Sequence, residues 1–440
     1  MRRKVMIWSL PVLMLAGCGG GPGQEGPSRG PEPSASGSQP ASTAASTPGR
    51  TPSSGPRGGG RGIDDVNADG YADLVIEVGV SERRQLAVLY GSSRGLDPGR
   101  RTVVPPGTFS SWLVGGGIRG DFDGDGFGDV VAHGARAGDD APQGPHLLWG
   151  GPAGIAARTP PTPVRPAAGS EPAHSRAVAG DFDTDGHADL ALSGPPQADA
   201  SAADLTVLYG PFTRQGVPAR RTVQPSPTGS EFWRMTSDDL GGRRGGGLLV
   251  HEGDDGEQTS PWLLAAGPGG LAKTGRKLNA GMSAAFGDFD GDGARDVAVG
   301  DDGSRNNEPG YETEPPSVDK TVTVYHRNGR QAAFRGTAGA AVAGDFDGDG
   351  RDDLAFGGAG RQGPPRAYSA PKVFRGGPGG LGAGRHVEGP GKVAPLAAGD
   401  YDGDGDDELV LAAGDDDAPA IVLTDGTKLL TSFPTSTLAS

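Results

Sequence analysis

The chain has one cysteine in 440 residues, Cys18, so no disulfide can form within it and something else must staple its fold. Aromatic residues make up only 6% and hydrophobic residues 34%, beside 81 glycines and 39 prolines. Spread evenly, such a composition would describe a disordered chain. Beyond residue 61, however, the glycines recur at fixed places. Basic charge is also scarce: 40 Lys and Arg stand against 55 Asp and Glu, a net charge of -15. That balance excludes a nucleic-acid partner, which needs a basic stripe, and adhesion of the folded part to an anionic lipid surface. Nucleophile elbows, phosphate-binding loops and dinucleotide fingerprints are lacking in the right context. The glycine-rich stretches lead into strands rather than helices.

The first residues read as an address. Arg2, Arg3 and Lys4 precede an apolar run from Val5 to Leu15, about half of the roughly 20 residues a membrane-spanning helix takes. The run ends in Leu15-Ala16-Gly17-Cys18, which resembles the bacterial lipobox. Cleavage before Cys18 and lipidation of its thiol are the expectation. Residues 1–17 are then a signal peptide, and two acyl chains would hold the mature protein stably on the extracellular face of the cell membrane. Residues 18–61, rich in Gly, Pro, Ser, Thr and Ala without apolar periodicity, are expected to form a flexible tether.

From residue 62 onward the sequence repeats. The clearest copy is Asp121-Phe122-Asp123-Gly124-Asp125-Gly126-Phe127-Gly128-Asp129-Val130. Others start at Asp65, Asp181, Asp288, Asp345 and Asp400, with a degraded copy at Asp239. Successive starts lie 56, 60, 58, 49, 57 and 55 residues apart. Calcium takes six to eight oxygen ligands. A tight curl, permitted by glycine at position 6, would bring oxygens from positions 1, 3, 5, 7 (a backbone carbonyl) and 9 to one point.

The candidate ligands are therefore Asp65, Asn67, Asp69, Tyr71 and Asp73 in the first loop; Asp121, Asp123, Asp125, Phe127 and Asp129 in the second; and Asp181, Asp183, Asp185, His187 and Asp189 in the third. The later loops offer Asp288, Asp290, Asp292, Ala294 and Asp296; then Asp345, Asp347, Asp349, Arg351 and Asp353; and last Asp400, Asp402, Asp404, Asp406 and Glu408. In the copy at Asp239, Gly241, Arg243 and Gly247 replace three ligands, so about six structural calcium sites are expected and that repeat is expected to lack metal. The six intact loops hold 23 carboxylates at positions 1, 3, 5 and 9, which accounts for the acidic balance. Such crowding of like charge makes a cation part of the fold's stability.

Each repeat reads as four strands: small residues such as Ala177-Val178-Ala179, the acidic loop, an apolar strand, a third strand such as Leu86 to Tyr90, a glycine turn, and a fourth. Four-stranded units repeated radially make a propeller; a linear solenoid would want capping units. The predicted fold is all-β, a seven-bladed β-propeller over residues 62–440 with calcium loops between the first and second strands of its blades.

These residues resemble the FG-GAP repeat family, the propeller of integrin α-subunits, and its bacterial members in particular. The resemblance covers six repeats well and one poorly. It implies seven blades, structural calcium, and secreted or cell-surface adhesion.

No catalyst is apparent. Seven histidines are scattered, with His133 and His251 the pair most open to meeting on one face. The expected function is that of a membrane-tethered binding or adhesion protein, monomeric, recognising an extracellular protein or glycan. An extracellular hydrolase or lyase, or an envelope scaffold, are the alternatives. Its expected rim comprises the loops at 134–145, 301–320 (with Tyr311) and 357–371 (with Arg361, Arg366 and Tyr368), on the face opposite the metal loops.

Overall fold

Apolar stretches of about five residues, punctuated by glycine turns, can bury their faces only by pairing in meanders and stacking those meanders on one another. In a computed structural model of the chain they form seven antiparallel sheets set in a ring, a seven-bladed β-propeller. The structure describes residues 64–78, 85–105, 118–134, 144–167, 176–193, 204–229, 232–238, 246–252, 257–305, 313–358, 368–414 and 419–438. The leader with Cys18, the tether, the degraded loop at 239–245, and much of the three rim loops, including Tyr311, Arg361 and Arg366, lie outside the described residues.

Blade 3 shows the pattern. Arg176–Gly180 is innermost, followed outward by Asp189–Ser193, Leu205–Tyr209 and Arg220–Gln224. Gly180 pairs with Asp189, so the acidic loop is the excursion between the first two strands. Six sheets have four strands. Blade 1 has three, Leu74–Val78, Gln85–Leu89 and Arg101–Val103. The residues that would precede its loop as an inner strand lie outside the described residues.

Second strands are buried throughout, as in Asp189–Ser193 and Asp296–Gly300, because a neighbouring blade covers each face. That is why they read as unbroken apolar runs. Outer strands such as Gln331–Arg335 alternate and face solvent. Inner strands carry Ala and Gly, and the glycine that precedes five of the loops has a steric cause. The ring at loop position 2 folds back over it, so a Cβ at Gly180 would meet Phe182 Cζ at 2.6 Å, and one at Gly287 would meet Phe289 Cε1 at 2.5 Å.

The core is divided among the blade interfaces. Among the described residues it forms seven apolar clusters, each spanning two adjacent blades. One joins Leu74, Ile76 and Leu89 of blade 1 to Tyr401, Val410 and Ile421 of blade 7, and so closes the ring.

Backbone hydrogen bonds repeat around the same joints. The amide at loop position 8 donates to the position-1 carbonyl of the preceding blade: Gly128 to Asp65, Asp352 to Asp288, Asp407 to Asp345, and, across the closure, Ala72 to Asp400. The outer hairpin of one blade likewise donates to the position-2 carbonyl before it: Gly151 to Val66, Phe212 to Phe122, Gly267 to Phe182, Gly377 to Phe289, and Ser92 to Tyr401.

At the blade whose loop is degraded, an ion-pair chain joins the neighbours. Arg295 of blade 5 lies 2.7 Å from Asp238 of blade 4 and 2.5 Å from Asp352 of blade 6. The Arg295 and Asp238 side chains are only 15% and 6% exposed. Removing the cation from between two largely buried carboxylates costs far more than losing a surface pair. Arg295→Ala is expected to destabilise the protein by about 3 kcal/mol, read as a lowered urea midpoint at unchanged slope. A loss below about 1 kcal/mol, the range of surface pairs, would show that the joint does not rely on this chain.

Candidate metal centres

All six loops share one curl. Position 1 holds it together by accepting amides from further round the turn. Asp65 takes those of Asp69 and Gly70, and Asp121 those of Gly124, Asp125 and Gly126. Asp181 takes those of Asp185 and Gly186, and Asp345 those of Asp349 and Gly350. Asp400 takes Gly403 and Gly405, and Asp288 takes Gly293. Position 5 caps the amide at position 7, as Asp125 does for Phe127 and Asp185 for His187.

Position 6 has the positive φ expected for its glycine, between 81° at Gly293 and 98° at Gly405. Position 4 is left-handed too, at 56° for Ala68 and 60° for Thr184 among the glycines, a requirement the sequence pattern did not reveal.

Position 9 sits deepest. Asp73, Asp129, Asp189, Asp296, Asp353 and Glu408 are all buried. In blades 1, 2, 3 and 6 one oxygen accepts the position-2 amide and the other accepts the glycine that opens the outer hairpin: Gly91, Gly150, Gly210 or Gly376. One carboxylate thereby ties the loop to the third strand.

The side chains at position 7 lean away onto the preceding blade. Tyr71 covers Gly403, His187 covers Gly124, Arg351 covers Gly291 and Asp406 covers Gly348. Position 4 must therefore be small wherever a side chain follows. Thr184 stands before the degraded copy, which has Gly245 at that place.

Carboxylate oxygens of Asp121, Asp123 and Asp129 lie within 4.8 Å of one another, as do those of Asp181, Asp183 and Asp189, of Asp288, Asp290 and Asp292, and of Asp345, Asp347 and Asp349. Four predicted loops thus bring at least three of their predicted ligands together. In the first loop Asn67 bonds to Asp69 through its own side chain. In the last, Glu408 accepts the Tyr401 amide, and Asp402 and Asp404 sit on the exposed turn with Asp406.

The sequence reading missed the cations that reach into these clusters from later strands. Arg214 contacts Asp123 and lies 2.6 Å from Asp125, its guanidinium over Trp149. Arg220 lies 2.6 Å from Asp183, Arg375 2.5 Å from Asp353, and His326 Nδ1 2.7 Å from Asp296 and 3.3 Å from Asp290. At Asp123, Asp183 and Asp290 the basic side chain faces Oδ2, while Oδ1 is buried with no hydrogen-bond donor; Asp288 Oδ1 is in the same condition. A buried carboxylate oxygen without a donor is costly, and it recurs at position 3 in three blades. A divalent cation at the convergence point is the partner these oxygens fit, and carboxylate oxygens suit hard cations.

Electrostatics agree. Burial pushes Asp73, Asp129 and Asp189 up to about 7, and burial with the neighbouring charge of Asp402 pushes Glu408 up to about 8. His251, expected near His133, is instead fully buried on the strand Gly247–Glu252, where Nε2 donates to the Gly281 carbonyl and burial lowers it to about 4. The His133 side chain lies outside the described residues.

No family model matches the chain, and none of the curated proteins matches it in sequence.

The raised carboxyls set a pH dependence. Without metal, the folded state holds protons that the unfolded chain releases near pH 4, so this stabilisation is present at low pH and lost as pH rises through about 7. A divalent cation displaces those protons. The gain in melting temperature on adding the cation, relative to chelator, should therefore grow between pH 5 and pH 8. A gain independent of pH would mean that the cation binds elsewhere.

Proposed function

We propose that the chain is a calcium-stabilised propeller of the FG-GAP type, displayed on a lipid tether outside the cell, which binds a protein or glycan rather than catalysing a reaction. The observation that carries the metal part is the recurrent position-3 carboxylate with one oxygen buried and donorless. Three loops converge on carboxylates alone, in keeping with calcium's preference for oxygen.

The binding part draws on the opposite face. There the base of the loop at 301–320 is braced rather than loose. Asp301, fully buried, accepts Gly303 and Lys320 amides and both terminal nitrogens of Arg305, which also reaches Asp319. Gln258 ties the same base to Asp302 and Ser304. An anchored base lowers the entropy that such a loop would lose on binding.

Two measurements test the proposal. Bound-metal analysis of the unlipidated Cys18→Ser protein should find about six ions in total, mostly calcium, and chelation should lower the melting temperature sharply. Asp183→Asn should remove one ion and leave the others. Little bound calcium and an unchanged melting temperature would overturn the metal reading. For ligand binding, the same protein probed against glycans and envelope proteins should show binding that is lost on Asp301→Ala with calcium content unchanged. Binding insensitive to that change would move the contact surface elsewhere.

A further inference from the structure

Beside the position-9 carboxylate, at the end of the third strand, blades 1 to 3 carry Tyr90, Trp149 and Tyr209, blade 6 carries Arg375, and blade 5 carries His326. Tyr90 and Tyr209 lie under a hairpin glycine of the next blade, Gly154 and Gly270. His326 takes the same place under Gly380, where a Cβ would come within 2.7 Å of both Cε1 and Nε2. Packing therefore fixes the imidazole, whose side chain is 1% exposed.

Its Nδ1 faces the metal loop, 2.7 Å from Asp296 Oδ2 and 3.3 Å from Asp290 Oδ2. The donor atoms of Asp290, Asp296 and His326 lie within 4.8 Å of one another, and Asp290 is shared with a second such group formed with Asp288 and Asp292. The Asp290 side chain is 5% exposed and Asp288 is 4% exposed, yet Oδ1 of each has no donor. Arg330, half exposed, stands 3.8 Å from Asp290 Oδ2 and does not satisfy that Oδ1. This cluster joins a nitrogen donor to the loop carboxylates.

We infer that the blade-5 loop is a transition-metal site, taking a borderline ion such as Zn²⁺ in preference to calcium through Nδ1 of His326 and the carboxylates of Asp288, Asp290 and Asp296. Calcium is served by oxygen alone, whereas imidazole with carboxylates suits zinc and its neighbours. On binding, the proton shared between Nδ1 and Asp296 leaves and Nε2 keeps its own, giving the neutral ring a lone pair toward the ion. The inference rests on reading the loops as metal sites and departs from it in the identity of one ion.

The test uses the full chain with its lone thiol replaced (Cys18→Ser), saturated with millimolar calcium and titrated with Zn²⁺, or with Co²⁺ for its visible absorption. One equivalent should be retained against calcium, with cobalt bands of nitrogen–oxygen coordination. Among the histidine ring resonances, those of His326 should be the ones that move on zinc binding in the unmodified loop. His326→Gln should weaken retention by at least about tenfold, with His326→Asn as a second variant and the calcium-dependent melting temperature reporting that each is folded.

No transition ion retained over calcium, His326 resonances that stay put, or equal retention in the folded variants would overturn the inference. The calcium count in the same samples separates the two readings. Calcium bound without zinc refutes only this site, and zinc bound without calcium refutes only the calcium assignment.

Discussion

The structure depends on the joint between consecutive blades, and that joint is built from the acidic loops. In the first and last loops the position-8 amide, the position-2 carbonyl and the position-1 carbonyl all belong to the hydrogen-bond seam with a neighbour, and each of the other intact loops contributes at least one of them. The loop that would hold a cation therefore also carries the backbone contacts that make the ring. The blade 7 to blade 1 closure uses the same bonds as the other joints, Ala72 to Asp400 and Ser92 to Tyr401. The ring closes by repetition rather than by a special latch.

This arrangement accounts for a fold with few aromatics and no disulfide. Among the described residues the apolar core is seven thin clusters, five of which include a ring from loop position 2 such as Phe182, Phe289 or Tyr401. Such clusters order the blades, but they are small, and the loops beside them concentrate negative charge. The buried position-9 carboxyls, driven upward by desolvation, are the cost of that design in the absence of a counter-ion. A divalent cation held there would turn this like-charge crowding into a bond between the first two strands of a blade.

The exception confirms how the joint works. Blade 4 has lost its acidic loop, and there Arg295 links Asp238 to Asp352, a fixed cation bridging three blades. Elsewhere Arg214, Arg220 and Arg375 each hold one oxygen of a loop carboxylate. Such outer partners orient the carboxylates toward the centre of the loop. On the opposite face the base of the loop at 301–320 is likewise pinned by an arginine, Arg305, on Asp301.

By itself the sequence determined the repeat, the number of blades, the order of strands within a blade and the residues at each loop position, because these follow from local spacing, turn chemistry and apolar runs. Tertiary structure decided what no spacing carries. Arg214 meets Asp123 from 91 residues downstream, and His326 meets Asp290 from 36, because blade packing and strand register bring them together. The left-handed turn at position 4 was equally hidden, because Ala68 and Thr184 stand there in place of the glycine of the other loops. His251 showed the reverse: the sequence left it open to meeting His133 on one face, and the strand register buried it. Position along the chain specifies which atoms can ligate; which cations stand beside them is settled only when seven blades close into one ring.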